Sequence, residues 1–202
     1  QLDHITLWIN NAGVTQQPHA KLMDTEPDEI RRVVDTNLVG TLLGNRIAFK
    51  TMLAHPDPSG ATTHVFSMDG AGSNGMVTAN FATYGASKAG MNQIRKTLCA
   101  EMQGTSVGVH MLSPGMVTTE LLLKSNNGAE LDASTKKIFN ILAERPETVA
   151  PWLVKKVLDT RGSGKYHKYL TTKGVVWRFM TAFMRKNRLI PEAPGGGLKK
   201  SQ

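Results

Sequence analysis

The chain has 202 residues, 40% of them hydrophobic and 20% charged, with one cysteine and a formal net charge of +8. These proportions fit one globular domain with a sizeable core and exclude a disordered chain, a collagen repeat and a disulfide-stapled scaffold. No uninterrupted apolar run reaches the ~18 residues of a spanning helix, and the single Cys99 cannot form an internal bridge, which fits a reducing compartment.

The positive charge is concentrated at one end. Residues 1–150 carry 12 Lys/Arg against 14 Asp/Glu, whereas residues 151–202 carry 12 against 2. Such a block predicts contact with an anionic surface, nucleic acid or membrane, or a solvated tail. The opening QLDHITLWINNAG has neither the charged and apolar regions of a signal peptide nor an Arg/Ser-rich transit segment. It begins without Met, so the chain is expected to be the interior of a longer one.

Residues 5–9 form a short β-branched and aromatic run that empties into Asn10-Asn11-Ala12-Gly13, a strand followed by a tight loop. Thr25 with Asp28 three residues on, and Pro27 between them, predicts a capped helix start. Apolar residues at 30, 33, 34, 38, 42 and 43 continue it to about residue 53, as one helix or as two meeting near Asn37. HPDPSG at 55–60 is a loop, 62–68 a second strand running into DGAGSNG, and 84–103 a helix with small residues at Gly85, Ala86, Ala89 and Gly90. A third strand at 107–112 stops at Ser113-Pro114-Gly115. Residues 118–142 show no clear period, 146–158 starts like a helix, and 165–170 reads as a last short strand.

Strands that alternate with long helices, each ending in a Gly- or Pro-bearing loop, describe a doubly wound α/β sheet of parallel strands, a Rossmann-like fold. Ligands bind such sheets beyond the carboxyl ends of the strands, where NNAG, DGAGS and SPG would meet. Tyr84 and Lys88, spaced i and i+4 at a helix start, share one face within reach of one bound group. An ammonium beside a phenol stabilises the phenolate and brings its pKa down from ~10 toward the range useful in proton transfer. Alone, this spacing also describes an ordinary solvated helix face.

Four motifs in order, NNAG at 10–13, Asn37 in TNLVG, YGASK at 84–88 and SPGMVTT at 113–119, resemble the short-chain dehydrogenase/reductase family. The resemblance implies Tyr84 as general acid/base, with Lys88 holding the nicotinamide ribose and lowering the tyrosine pKa. It implies that Asn37 holds a water linking Lys88 to solvent. Asn11, Ala12 and Gly13 would run along the cofactor, and Pro114, Gly115, Val117 and Thr119 would line the nicotinamide. The family's catalytic serine would fall at Ala71; Ser73 is the preferred candidate over Ser67, and Asp69 donates a hydrogen bond only when protonated.

The runs FSMDGAGSNG, YGASKAGMNQIRKTL, VGVHMLSPGMVTTELLL and KKIFNILAERPETVA, with the basic aromatic carboxyl-terminal segment, are most similar to the chlorophyll(ide) b reductases of plants and algae. This implies reduction of the 7-formyl group of chlorophyll(ide) b to hydroxymethyl with NAD(P)H, NADPH by resemblance, in the chloroplast and at the thylakoid. Met116, Leu121, Leu122, Leu123, Ile138, Phe139 and Ile141 would then line an apolar mouth, or else pack the core. Family resemblance further implies a homo-oligomer paired through helices at about 38–53 and 84–103.

The family's GxxxGxG pyrophosphate loop is missing, so residues 1–190 are expected to be the carboxyl-terminal part of the fold, lacking the first βαβ unit, with 191–202 a flexible tail. The strand at 5–9 would then be an exposed edge. Two alternatives to the reductase remain: a non-catalytic half-domain subunit or regulatory partner of a complete reductase, and a short-chain carbonyl reductase of another substrate. Residues 174–189 combine Val176, Met180, Phe183 and Met184 at helical spacing with Arg178, Arg185, Lys186 and Arg188. This suits a peripheral membrane helix or one folded back on the domain. The six histidines and Cys99 show no ligand spacing, so no metal is expected, and no nucleic-acid module is recognisable.

Overall fold

Strands covered on both faces are buried residue after residue rather than on alternate positions, and the two central strands of this molecule are so buried, Thr63, His64, Ser67 and His110 included. The computed structural model describes residues 4–119, 133–185 and 189. Its sheet has four parallel strands in the order β1 (Leu7–Asn10), β2 (Thr63–Met68), β3 (Val107–Ser113) and β4 (Tyr166–Lys168). Helices α1 (Pro27–Val34), α2 (Gly40–Ala54) and α3 (Ala82–Glu101) precede β3, while α4 (Ala133–Leu142), α5 (Pro146–Leu158) and α6 (Thr172–Met180) follow it.

Each sheet face has its own core. Val65, Val107 and Val109 pack with Ala48, Phe49 and Met52 of α2 and with Leu98 of α3. On the opposite face Phe66 and Leu112 pack against Val157 and Leu153 of α5. β1 lies at the sheet edge, and its Leu7 and Ile9, in register with His64 and Phe66, are exposed on the same face as α5.

The expected helix from Pro27 to about residue 53 is interrupted by one widened turn, Asp35–Val39, between α1 and α2. Such π turns commonly mark functional positions. Here the turn carries Asn37, which is fully buried. The capping box anticipated at Thr25 does not form. Glu26 is the cap residue without a side-chain bond, and the Thr25 hydroxyl instead donates to the Lys21 carbonyl at 3.0 Å. Residues 133–142, aperiodic in the sequence, form α4.

The carboxyl-terminal helix docks by its arginines. Arg178 and Arg185 reach the buried Glu144 carboxylate at 3.2 and 2.8 Å, and Arg178 also donates to the Leu142 carbonyl at 2.6 Å. Val176, Trp177, Met180 and Phe183 are left exposed. The helix thus folds back on the domain with its apolar side outward. Lys186, Arg188 and the tail at 191–202 lie outside the described residues.

Two predictions follow from buried polar groups. His64 Nδ1 and His110 Nε2 lie 2.9 Å apart inside the sheet, and His110 Nδ1 accepts from the Lys165 amide at 3.2 Å. Burial holds both imidazoles below the usual 6.5, His110 at about 3. The folded state favours the neutral rings, so their stabilisation is present above pH 6.5 and lost as the pH falls below it. The unfolding free energy should stay flat above about pH 7 and drop by about 1.4 kcal/mol per pH unit on account of His110 between about pH 6.5 and 5, with His64 acting in the same direction; a flat or rising curve there contradicts the neutral pair. Asn37→Ala should cost about 3 kcal/mol in denaturant unfolding, because it strands buried backbone groups; a cost under about 1 kcal/mol would show that Asn37 does not hold the fold.

Candidate active site

The carboxyl ends of β1, β2 and β3 open into the segments 11–16, 69–75 and 114–119, and the first turn of α3 lies against the first two. Two buried amides fix that arrangement. Asn37 Oδ1 accepts from the Val14 amide at 2.8 Å, and its Nδ2 donates to the Val14 carbonyl at 2.9 Å and to Ser87 Oγ at 3.0 Å. Gln16 Oε1 accepts from the amides of Thr83 and Tyr84 at 3.1 and 3.2 Å. Gln16 therefore caps α3 from a distant loop, satisfying donors that every helix start leaves open.

Tyr84 and Lys88 are buried on one face of α3, 8% and 5% exposed, with Lys88 Nζ 5.9 Å from the centre of the Tyr84 ring. The ammonium donates to the Met68 carbonyl at 3.4 Å. Two glycines wall the pair. A Cβ on Gly13 would stand 3.4 Å from Lys88 Nζ and 3.5 Å from Asn37 Oδ1, and a Cβ on Gly70 would collide with the Tyr84 hydroxyl. Gly72, at φ +98°, brings the loop backbone onto α3, where a Cβ would meet Gly85 Cα at 2.7 Å.

The phenol behaves differently from the sequence expectation that Lys88 lowers it. Burial, seconded by the Asp69 carboxylate, pushes the Tyr84 phenol up to about 12. Lys88 is itself lowered by burial and raised by Asp69, with burial the larger effect. Tyr84 is accordingly a neutral phenol at ordinary pH.

Asp69 gathers hydroxyls. Its Oδ2 accepts from Ser73 Oγ at 3.0 Å and from the Tyr166 hydroxyl of β4. Burial raises its carboxyl, opposed by hydrogen bonds from Tyr166, Ser73 and Ser113 and by the Lys88 charge. Ser73 thus sits on the loop beside the site with its hydrogen directed at Asp69. Ser67 is turned away: its Oγ accepts at 3.4 Å from Asn10 Nδ2 and Asn45 Nδ2 on the α2 face.

Asn11 and Ala12 are exposed on the loop that leads to Gly13. Val117 pairs with Glu144, Thr118 donates its amide to the Glu144 carbonyl at 2.9 Å, and Gly115 lies against Leu170. Pro114, Gly115, Val117 and Thr119 therefore follow β3 as a loop tied to the carboxyl-terminal elements, and no hydrogen bond among the described residues joins them to Tyr84 or Lys88. Phe139 and Ile141 are buried and belong to the core, the second of the two expectations, whereas Ile138 is exposed. Leu121, Leu122 and Leu123 lie outside the described residues. A cleft of about 430 Å³ lined by Ala71, Gly72, Met76, Phe81 and Ala89 opens beside the loop.

Gln16, Asp69, Gly70 and Tyr166 were not among the site residues expected. Asp69 and Gly70 stood in the DGAGS string, and their order after a strand was the available signal. Gln16 and Tyr166 act across 68 and 97 residues, a separation that no local pattern reveals. No group of three or more His, Cys, Asp or Glu side chains among the described residues could hold a metal, and no described helix is long and apolar enough to cross a membrane.

Comparison with known proteins supplies the family. The family model for short chain dehydrogenase matches residues 1–130. The chain is 42% identical over 95% of its length to the probable chlorophyll(ide) b reductase NYC1, chloroplastic, of Oryza sativa subsp. japonica, covering 36% of that protein. It is 37% identical over 95% of its length to the chlorophyll(ide) b reductase NOL, chloroplastic, of Arabidopsis thaliana, covering 56% of it. The chain thus spans between about a third and somewhat over half of these curated relatives. Among solved structures, the 3-ketoacyl-(acyl-carrier-protein) reductase from Brucella melitensis complexed with NADH superposes with a TM-score of 0.63 at 19% identity, over 82% of this chain and 66% of that one. An NADH-dependent reductase A1-R' responsible for alginate metabolism gives 0.66 at 22% identity, over 82% and 63%. Those two likenesses concern the fold, a parallel sheet flanked by helices of which this chain forms a part. With the tyrosine and lysine sharing one buried turn at the strand ends, and with the family model matching well over half its length, the chain belongs to the short-chain dehydrogenase family.

Proposed function

We propose that the protein reduces the 7-formyl group of chlorophyll(ide) b to a hydroxymethyl group, with NAD(P)H as reductant. The observation that carries this reading is the buried Tyr84–Lys88 pair, walled by Gly70 and Gly13 at the carboxyl ends of β1 and β2. The names of the relatives, chlorophyll(ide) b reductase, support the substrate.

The residues fit a nicotinamide cofactor. Gly13 presents bare backbone beside Lys88. The hydrogen bond of the Lys88 ammonium is the 3.4 Å one to Met68, which leaves donors for a ribose diol. Asn11, Ala12 and Gly13 are assigned to one side of the cofactor and Pro114, Gly115, Val117 and Thr119 to the other, with NADPH chosen over NADH by resemblance. When bound, the nicotinamide supplies hydride to the formyl carbon.

The protein's part is to manage the oxygen. The neutral Tyr84 phenol donates its proton to the aldehyde oxygen as negative charge develops there. The Lys88 ammonium stabilises the phenolate that remains until a solvent proton replaces the one transferred. The overall balance is aldehyde, NAD(P)H and one proton giving alcohol and NAD(P)+. Asn37 positions Lys88 by holding Val14 against α3, and is assigned the water that passes the proton. Ser73 is the second donor to the oxygen.

The reading places the enzyme in the chloroplast at the thylakoid. The outward apolar side of α6 supports a peripheral membrane contact, and the exposed Leu42, Leu43 and Ile47 of α2 support self-association.

With chlorophyllide b and NADPH, the protein should form the 7-hydroxymethyl pigment, identified by chromatography and its visible spectrum. Tyr84→Phe should lower that rate by about 10²–10⁴-fold while leaving cofactor binding, read by nicotinamide fluorescence, close to wild type. Turnover retained by Tyr84→Phe, or reduction of simple aldehydes without reduction of the pigment, would overturn the reading.

A further inference from the structure

Three hydroxyl groups from three elements converge on one carboxyl at the edge of the site. Ser73 lies in the loop after β2, Ser113 ends β3 and Tyr166 begins β4; all hydrogen-bond to Asp69. Each hydroxyl has a single hydrogen. While Asp69 is ionised it is an acceptor only, so a Ser73 hydrogen committed to Oδ2 is withheld from any substrate oxygen. Gly70, the residue against the Tyr84 hydroxyl, has no side chain to supply a second donor. The Ser73 hydroxyl is a donor on this loop, and its hydrogen is engaged by Asp69 Oδ2 at 3.0 Å.

We propose that Asp69 is a positioning residue of the reduction, which holds the Ser73 hydroxyl away from the substrate oxygen when ionised and releases it when protonated. The proposal rests on the reductase reading given above and deepens it. A protonated carboxyl brings a hydrogen of its own, so the cluster then has one more hydrogen than the ionised carboxyl requires, and Ser73 Oγ–H becomes available to the developing alkoxide. The loop stays in place in both states because Tyr166 remains a partner and the Asp69 amide donates to the Leu112 carbonyl at 2.9 Å.

The charges around Asp69 come from α3 and β4. Lys88 and Tyr84 face it from α3, the first favouring and the second not adding charge while it is a phenol. Tyr166 faces it from β4, with Arg95 of α3 at 5.5 Å and Lys168 of β4 at 4.2 Å from its ring centre. Burial outweighs these groups and raises the Asp69 carboxyl above its ordinary value.

The test combines kinetics with a readout that does not need turnover. In the protein, kcat for pigment reduction should fall about tenfold per pH unit above the Asp69 midpoint while KM changes little. Asp69→Asn places an amide donor where the proton would be and should flatten that fall. Tyr166→Phe removes a bond that favours the carboxylate and should move the midpoint to higher pH. Carbon-13 NMR of the Asp69 carboxyl and of Ser73 Cβ should give one shared midpoint, raised in Tyr166→Phe. An unchanged pH profile in Asp69→Asn, or a Ser73 resonance indifferent to the Asp69 titration, overturns the proposal. If the shared NMR midpoint is found and the pigment is not reduced at any pH, the Asp69–Ser73 coupling stands and the substrate reading fails.

Discussion

The site depends on two buried side-chain amides that bind backbone rather than ligand. Gln16 closes the amino terminus of α3, and Asn37 stitches the segment after β1 to the same helix. Inside the protein an amide without partners is expensive, and each of these makes three hydrogen bonds. Together they fix the start of α3 to the sheet, and its first two turns carry Tyr84 and Lys88. The widened turn at Asp35–Val39 is the local adjustment that places Asn37 inward without ending the helix.

Burial then sets the chemistry. Removing Tyr84 from water favours its uncharged form, and the Asp69 charge acts in the same direction. A lysine nearby cannot reverse this while its own burial and the pull of Asp69 compete for its charge. A phenol held neutral suits proton donation in a reduction better than proton abstraction in an oxidation. Glycine at positions 13 and 70 keeps backbone, rather than side chains, around the pair, so a bound group can come within reach of both.

Much of this was legible in the sequence where the signal is local. Helix α3 and strands β2 and β3 declare themselves by period and by the Gly and Pro residues that follow them, and the i, i+4 spacing of Tyr84 and Lys88 survives intact. Interactions that cross the chain were not legible. Gln16 reaches α3 from a loop, Tyr166 reaches Asp69 from the last strand, and nothing in either neighbourhood marks it. The carboxyl-terminal segment shows the limit from another side. Its helical spacing of apolar and basic residues was evident, but which side faces the domain was decided by a buried acid, Glu144, that draws Arg178 and Arg185 inward.

The central claim is that a nicotinamide and a carbonyl meet over the Tyr84–Lys88 turn. A crystal structure of the protein with NADP+ and the hydroxymethyl pigment tests it most directly. The account predicts the pigment hydroxyl within hydrogen-bonding distance of Tyr84 Oη, ribose hydroxyls on Lys88 Nζ, and the nicotinamide ring between Gly13 and the 114–119 loop. A nicotinamide bound away from that turn, or a pigment hydroxyl out of reach of Tyr84, would contradict it.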